Sequence, residues 1–326
     1  MIAVNVNAGL ANQMFHYAFG RGLMAKGLDV CFDQSNFKPR SQWAFELVRL
    51  QDAFPSIDIK VMPEGHFKWV FPSLPRNGLE RRFQEFMKKW HNFIGDEVYI
   101  DEPMYGYVPD MEKCATRNCI YKGFWQSEKY FRHCEDDIRK QFTFLPFDEL
   151  KNIEVAAKMS QENSVAIHLR KGDDYMQSEL MGKGLCTVDY YMKAIDYMRK
   201  HINNPHFYVF TDNPCWVKDN LPEFEYMLVD WNEVSGKRNF RDMQLMSCAK
   251  HNIIGNSFQY FFLLPGKVCG RLFNYAIHWH FKDIKGRIYH ARQLKGLQYV
   301  KIDYGTILSR GIVLTAWDKY AGYDYT

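Results

Sequence analysis

The segment from Ser164 to Asp174 constrains the fold of this chain more than any other part of the sequence. An apolar, β-branched run ends at Leu169 and leads into a cluster of charged side chains around one glycine, Gly172. The run predicts a buried strand, and the cluster predicts the loop at its carboxyl end. Open α/β sheets bind their ligands at those ends. A guanidinium binds phosphate through two parallel charge-assisted hydrogen bonds. Arg170 therefore indicates a binding site for an anionic group beside carboxylates.

Strands alternate with helices in both halves of the chain, which predicts a parallel sheet in each half. The first half predicts a strand at the amino terminus, a turn at Ala8-Gly9, a helix from Asn12 and a strand from Leu28 to Phe32. Further elements are predicted over 119–125 (strand), 127–142 (helix), 164–169 (strand), 188–201 (helix), 207–211 (strand), 227–229 (strand), 241–250 (helix) and 252–255 (strand).

We therefore expect an α/β protein with two Rossmann-like domains that face each other across a cleft. Leu145-Pro146-Phe147 breaks the preceding helix and predicts the boundary, with one domain over 1–146 and the other over 147–326. In an alternative arrangement, the C-terminal segment packs back on the first domain.

Composition excludes some classes of function. The chain has 326 residues and a formal net charge of +4, which is too small to predict a nucleic-acid partner. Eight cysteines in a chain of this length predict free thiols in a reducing compartment. No run approaches the roughly 20 apolar residues of a membrane span. We expect a cytoplasmic protein, with the inner face of the membrane as the alternative location.

Five motifs resemble those of the bacterial α-1,2-fucosyltransferases, in the order that this family shows. The two most extensive are Gly9 to Ala18, which is similar to the amino-terminal signature of the family, and Ile167 to Tyr175, which is similar to its donor motif. A third block runs from Asp242 to Ser257, and weaker similarity occurs at 123–131 and 207–212. Lys171 stands where the family has a second arginine, and Gly172-Asp173-Asp174-Tyr175 carries one extra aspartate.

The resemblance implies a GT-B type glycosyltransferase that inverts configuration and needs no metal or cofactor. It implies transfer of L-fucose from GDP-β-L-fucose to the 2-hydroxyl of a terminal galactose on an oligosaccharide or lipid-linked glycan, as in O-antigen or capsule biosynthesis. A GDP-sugar domain in the second half, an acceptor-side domain in the first and peripheral membrane association would accompany this activity. Many enzymes of this type hold a divalent cation with Asp-x-Asp, a pattern that this chain lacks.

The resemblance also implies roles for individual residues. Arg170 would hold the diphosphate and stabilise the leaving group, and Asp173 or Asp174 would be the general base. The implied donor-binding residues are Asn12, His168, Arg170, Lys171, Asp212, Asn256 and Ser257.

Other interpretations remain open from the residues alone. Arg170 could form a salt bridge to Asp173 or Asp174 that only fixes the loop, His168 could be a core histidine, and Asn12 could be only a helix N-cap. The chain could also be a degraded transferase that binds nucleotide or glycan without turnover. A Rossmann-type oxidoreductase would require Gly-x-Gly-x-x-Gly after the first strand; the chain has Gly9 there, and Asp33 follows the second strand, but the glycine triplet is missing.

Overall fold

The computed structural model of the chain describes residues 1–37, 48–63, 77–94, 98–102, 107–116, 118–172, 186–255, 280–282, 288–290 and 313–315. The chain divides into two compact units, Met1–Leu145 and Pro146–Thr326. Within the described residues, no helix combines the length and the apolar character that crossing a bilayer requires.

The first unit is built on a four-stranded parallel sheet. Its strands are β1 (Ile2–Asn5), β2 (Val30–Asp33), β3 (Val98–Asp101) and β4 (Cys119–Lys122), and they lie in the order β2-β1-β4-β3. Each strand is short, and the central positions of β1, β2 and β4 are fully buried because helices cover the sheet. The helices are α1 (Leu10–Ala25), α2 (Leu50–Ala53), α3 (Gly78–Ile94) and α4 (Glu135–Gln141), with short 3-10 helices at Ser35–Phe37, Met111–Cys114, Glu128–Tyr130 and Arg132–Cys134.

Helix α1 begins two residues earlier than the sequence predicts. Gly9 is the N-cap, so Asn12 lies inside the first turn, and the interpretation of Asn12 as the cap is wrong. The left-handed residue of the preceding turn is Ala8, with φ of 60°, whereas Gly9 has φ of −65°. The left-handed position of the turn is therefore occupied by a residue with a side chain, which costs about 1–2 kcal/mol of conformational free energy.

The second unit contains a five-stranded parallel sheet. Its strands are β5 (Asn163–Leu169), β6 (Pro205–Thr211), β7 (Tyr226–Val229), β8 (His251–Ile254) and β11 (Val313–Thr315), and they lie in the order β11-β8-β5-β6-β7. A separate antiparallel pair consists of β9 (His280–Lys282) and β10 (Ile288–His290). The helices are α5 (Leu150–Gln161), α6 (Val188–His201), α7 (Pro214–Asn220) and α8 (Arg241–Ser247).

The predicted α/β class with one parallel sheet in each half is confirmed. The predicted strand at 164–169 is β5, in the middle of its sheet, and the predicted helix at 188–201 is α6 with the same bounds. The prediction of one helix over 127–142 is wrong, because two 3-10 turns precede α4 and the backbone leaves helical geometry at Phe131.

Candidate active site

The central strand β5 ends at the point where the second sheet reverses its order. The chain leaves β5 through α6 and places β6 on one side, then returns through α8 and places β8 on the other side. Parallel strands that diverge in this way leave a crevice outside their carboxyl ends, where ligands of open α/β sheets bind. Arg170 follows β5 at this edge, and Gly255 follows β8.

Arg170 is fixed by an ion pair with Asp212. Its Nε lies 2.9 Å from Asp212 Oδ2, and the two side chains are only 13% and 8% exposed. The register of the sheet explains the pair, because Leu169 on β5 is the partner of Thr211 on β6 and the next residue of each strand faces the other. The sequence predicts Asp173 or Asp174 as the salt-bridge partner of Arg170, whereas the partner among the described residues is Asp212.

Asp212 also holds the main chain of the loop after β5. Its Oδ1 accepts a hydrogen bond of 2.7 Å from the backbone N–H of Lys171, and the side chain of Asn213 donates to the carbonyl oxygen of Lys171 at 3.0 Å. Both carboxylate oxygens of Asp212 are therefore engaged by the protein. This gives Asp212 a positioning role, and its predicted contact with a nucleotide stays a prediction.

The ammonium group of Lys171 points into the protein. Its Nζ donates to the carbonyl oxygen of Cys186 at 2.8 Å and lies 4.5 Å from the centre of the Trp216 ring. Burial lowers the pKa of Lys171. Lys171 therefore anchors the segment that precedes α6 in this structure, and its predicted support of the donor stays a prediction.

His168 is a buried, neutral histidine at the end of β5. Burial lowers its pKa to about 3, and the nearby charge of Arg170 acts in the same direction. A neutral imidazole at pH 7 can donate and accept hydrogen bonds, but it has no positive charge that would attract an anion. The interpretation of His168 as a core histidine fits this environment, and a donor contact stays a prediction.

The two strand ends that border the crevice are packed tightly through tyrosines of α6. The hydroxyl of Tyr191 donates to the carbonyl oxygen of His168 at 3.1 Å, and the hydroxyl of Tyr190 donates to the carbonyl oxygen of Ile254 at 2.9 Å. A Cβ at Gly255 would lie 2.5 Å from the Tyr191 hydroxyl oxygen. The absence of a side chain at position 255 therefore lets the loop after β8 lie against the Tyr191 hydroxyl without a clash.

Four predicted site residues lie outside the described residues. They are Asp173 and Asp174, the predicted bases, and Asn256 and Ser257, the predicted second set of donor contacts. The described part of the second unit therefore brings together His168, Arg170, Lys171 and Asp212, whereas Asn12 belongs to the first unit.

Asn12 is tied to the loop that follows β4. Its Oδ1 accepts a hydrogen bond of 2.8 Å from Gln126 Nε2. Next to Gln126, Trp125 is completely buried with φ of 51° and stacks on Phe19 with ring centroids 4.2 Å apart. A bulky residue in this backbone region is a genuine outlier, and such strain concentrates at ligand-binding loops.

Glu102, which is not among the site residues predicted from the sequence, lies beside the same loop. Its Oε2 accepts a hydrogen bond of 2.7 Å from the Phe124 backbone N–H, while Oε1 is buried and has no hydrogen-bond partner among the described residues. Burial outweighs the backbone hydrogen bonds and raises its pKa to about 7. The signal was present in the sequence, because Asp101 and Glu102 follow the short run Val98-Tyr99-Ile100 in the way that Arg170 follows β5.

Asp33, the acidic residue that an oxidoreductase would need, already has hydrogen-bond partners within the protein. Asp33, at the end of β2, is 1% exposed. Its carboxylate accepts from Asn5 Nδ2 at 2.6 Å and from the Ser35 backbone N–H at 3.0 Å. These contacts leave it poorly suited to receive a ribose hydroxyl. In the part of the chain that the structure describes, no cluster of three or more His, Cys, Asp or Glu side chains has metal-binding geometry.

Comparison with known proteins gives the following relatives. The sequence profile of glycosyl transferase family 11 matches residues 83–263. An alpha-1,2-colitosyltransferase of Escherichia coli is 37% identical over 260 residues, which is 79% of this chain and 84% of that protein. The O-antigen biosynthesis glycosyltransferase WbnK of Escherichia coli is 34% identical over 98 residues, or 29% of this chain and 32% of that protein. The crystal structure of the fucosyltransferase NodZ from Bradyrhizobium aligns over 81% of this chain and 93% of that chain, with 13% identity and a TM-score of 0.43.

Proposed function

Since the chain belongs to glycosyl transferase family 11, we propose that it transfers a 6-deoxyhexose, L-fucose or its 3-deoxy analogue colitose, from a GDP-sugar to the 2-hydroxyl of a galactose-terminated glycan. The reaction inverts the anomeric configuration and proceeds without a metal ion or cofactor. The relative WbnK, whose name places it in O-antigen biosynthesis, supports a surface-glycan intermediate as the acceptor. This acceptor favours a cytoplasmic protein that works at the inner face of the membrane.

The proposed step breaks one bond and forms another. The bond between the anomeric carbon and the β-phosphate oxygen breaks, and its electron pair leaves with GDP. The acceptor O2 forms a new bond to the opposite face of the anomeric carbon, and its proton passes to a base. Negative charge therefore builds on the diphosphate and must be stabilised there.

Arg170 carries this proposal. It follows the central strand at the reversal of strand order, and Asp212 holds its guanidinium through Nε in a site with little exposure to water. The terminal edge of a guanidinium has the fork geometry that binds two phosphate oxygens. A fixed cation of this kind costs no reorganisation when charge develops, and losing such a group typically lowers the rate by roughly 10² to 10³.

The base is proposed from two carboxyl groups, Asp173 and Asp174, the candidates that the resemblance implies. Asp173→Asn and Asp174→Asn separate them, since only the variant that lacks the base should lose most of its kcat while still binding GDP.

The test is an assay of the purified protein with GDP-fucose and, separately, GDP-colitose, on galactose-terminated oligosaccharides with and without EDTA. We expect release of GDP, an α-1,2 linkage in the product by NMR and no loss with EDTA. Arg170→Ala should lose at least about 10²-fold in kcat, and Arg170→Lys should recover part of this loss through charge alone. Near-wild-type turnover by Arg170→Ala in a folded protein would refute the phosphate assignment.

The rival proposal is a protein of the same fold that binds nucleotide or glycan without turnover. Calorimetric binding of GDP with no product from either donor on any galactoside would favour it. Turnover with one donor and not the other would identify the sugar, since the two donors differ only in the 3-hydroxyl group.

A further inference from the structure

Helix α3 exposes its apolar side chains. The helix has 17 residues, and Leu79 and Phe93 are 79% and 84% exposed. Phe86, Trp90 and Phe93 form a continuous aromatic strip, with neighbouring ring centroids 6.4 and 6.3 Å apart. The exposed apolar side chains recur at the three- and four-residue spacing of one helical face: Leu79, Phe83, Phe86, Trp90, Phe93 and Ile94.

The opposite side of α3 packs on the protein. Gln84 and Lys88, one helical turn apart, are half-buried, and Lys88 forms an ion pair with Asp101 at the end of β3. The helix therefore turns Gln84 and Lys88 toward its own unit and most of its apolar side chains outward, and Met87 is half-buried. This is the reverse of an ordinary surface helix, whose apolar face covers the core.

Two cations border the exposed apolar face. The charge of Arg81 is paired with Glu85 at 3.2 Å, and that of Lys88 with Asp101. Arg82 and Lys89 have no ion-pair partner among the described residues of the chain. Arg82 lies four residues before Phe86, and Lys89 lies four residues before Phe93, so both cations stand on the same side as the aromatic strip.

We propose that α3 is a membrane-docking helix that lies in the interfacial plane of an anionic phospholipid bilayer. Trp, Phe and Leu side chains on one face, with unpaired Arg and Lys at its edge, are the combination that inserts into the boundary between headgroups and acyl chains. The two cations select negatively charged lipid headgroups. In a second copy of this chain packed antiparallel on this face, the edge that carries Arg82 and Lys89 would lie beside the same edge of its partner, and the repulsion between these cations favours lipid over self-association. The inference does not depend on which sugar the protein transfers.

The experiment uses the full chain and vesicles of two compositions, phosphatidylcholine alone and phosphatidylcholine with 30% phosphatidylglycerol, in a sedimentation assay. We expect binding to the anionic vesicles that weakens in 0.5 M NaCl. The variant Phe86→Glu/Phe93→Glu should lose at least about tenfold in affinity. Arg82→Gln/Lys89→Gln should lose about 10- to 30-fold on anionic vesicles only.

Matched controls keep the test specific. Leu150→Glu/Ile153→Glu changes two exposed apolar residues of α5, and Arg81→Gln/Lys113→Gln removes two cations that are paired in the structure. Both controls should bind like the wild type, and circular dichroism checks folding. Failure of the wild type to bind either vesicle, or undiminished binding by Phe86→Glu/Phe93→Glu, overturns the proposal. A dimer in sedimentation velocity that the same variant abolishes, without vesicle binding, assigns the face to a second copy.

Discussion

The carboxyl group of Glu102 should make the protein less stable at neutral pH than at acid pH, and Glu102→Gln should remove this effect. The side chain is half-buried against the backbone of Gly123, where a Cβ would lie 2.4 Å from that of Glu102. Glutamine has the same shape and keeps an oxygen that can accept from the Phe124 N–H, now at 2.7 Å from Oε2. The substitution therefore removes the ionisable proton with little other change.

The sign and size of the effect follow from the pKa. Burial raises the pKa of Glu102 from 4.5 to about 7 in the folded protein. Below pH 4.5 both states are protonated, and the carboxyl group has no effect on stability. Between these values the unfolded state loses its proton while the folded state keeps it, so the free energy of unfolding falls as pH rises. Above pH 7 the cost levels off at roughly 3–4 kcal/mol, since the two pKa values differ by about 2.5 and one pKa unit corresponds to about 1.4 kcal/mol.

The assay is urea unfolding of wild type and Glu102→Gln between pH 4 and pH 8. The variant should match the wild type at pH 4 and have a midpoint higher by about 1 M urea at pH 8. Glu112→Gln is the matched control, because Lys26 lowers the pKa of Glu112 and the substitution should leave the variant no more stable at pH 8. A difference between Glu102→Gln and wild type that does not change with pH would refute the reasoning.

Three further substitutions test the packing around the candidate site. Ala8→Gly should raise the free energy of unfolding by up to about 1 kcal/mol, because it relieves the strain at φ of 60°; a lower thermal midpoint would contradict this. Gly255→Ala should cost about 1–3 kcal/mol through its clash with the Tyr191 hydroxyl, and should cost less in a Tyr191→Phe background, as a double-mutant cycle would measure. Asp212→Ala should cost about 2–4 kcal/mol by leaving Arg170 without its carboxylate, whereas Asp212→Asn, which keeps an acceptor for the Lys171 N–H, should cost less; equal losses in urea unfolding would argue against the hydrogen bond.

The strands and helices with strong local patterns were predictable from the sequence. The β-branched run before Arg170 and the helical periodicity over 188–201 each carry enough information within one element. The segment 127–142 does not carry enough local information to predict its structure. Tyr130 and Phe131 are consecutive and both buried. The Tyr130 carbonyl oxygen lies 2.3 Å from the position that a Cβ of Gly22 would occupy. This packing against α1 interrupts the helix, and no local sequence pattern predicts the interruption.

The candidate site was predictable in its position and not in its contacts. The strand-end rule placed Arg170 at the edge of the sheet, because that rule requires only local sequence. The pairing with Asp212 requires knowledge that β5 and β6 are neighbours in a particular register, which is a long-range property. The inward direction of Lys171 depends in the same way on Cys186 and Trp216.

Asp212 couples two segments that are far apart in the chain, because one carboxylate restrains both a side chain and a backbone N–H of the loop after β5. For protein engineering, this makes the loops after β5 and β6 a single module. A graft that replaces 170–172 with a homologous loop should carry position 212 with it, and a library that varies the two loops independently will contain many members that lack one half of a matched pair.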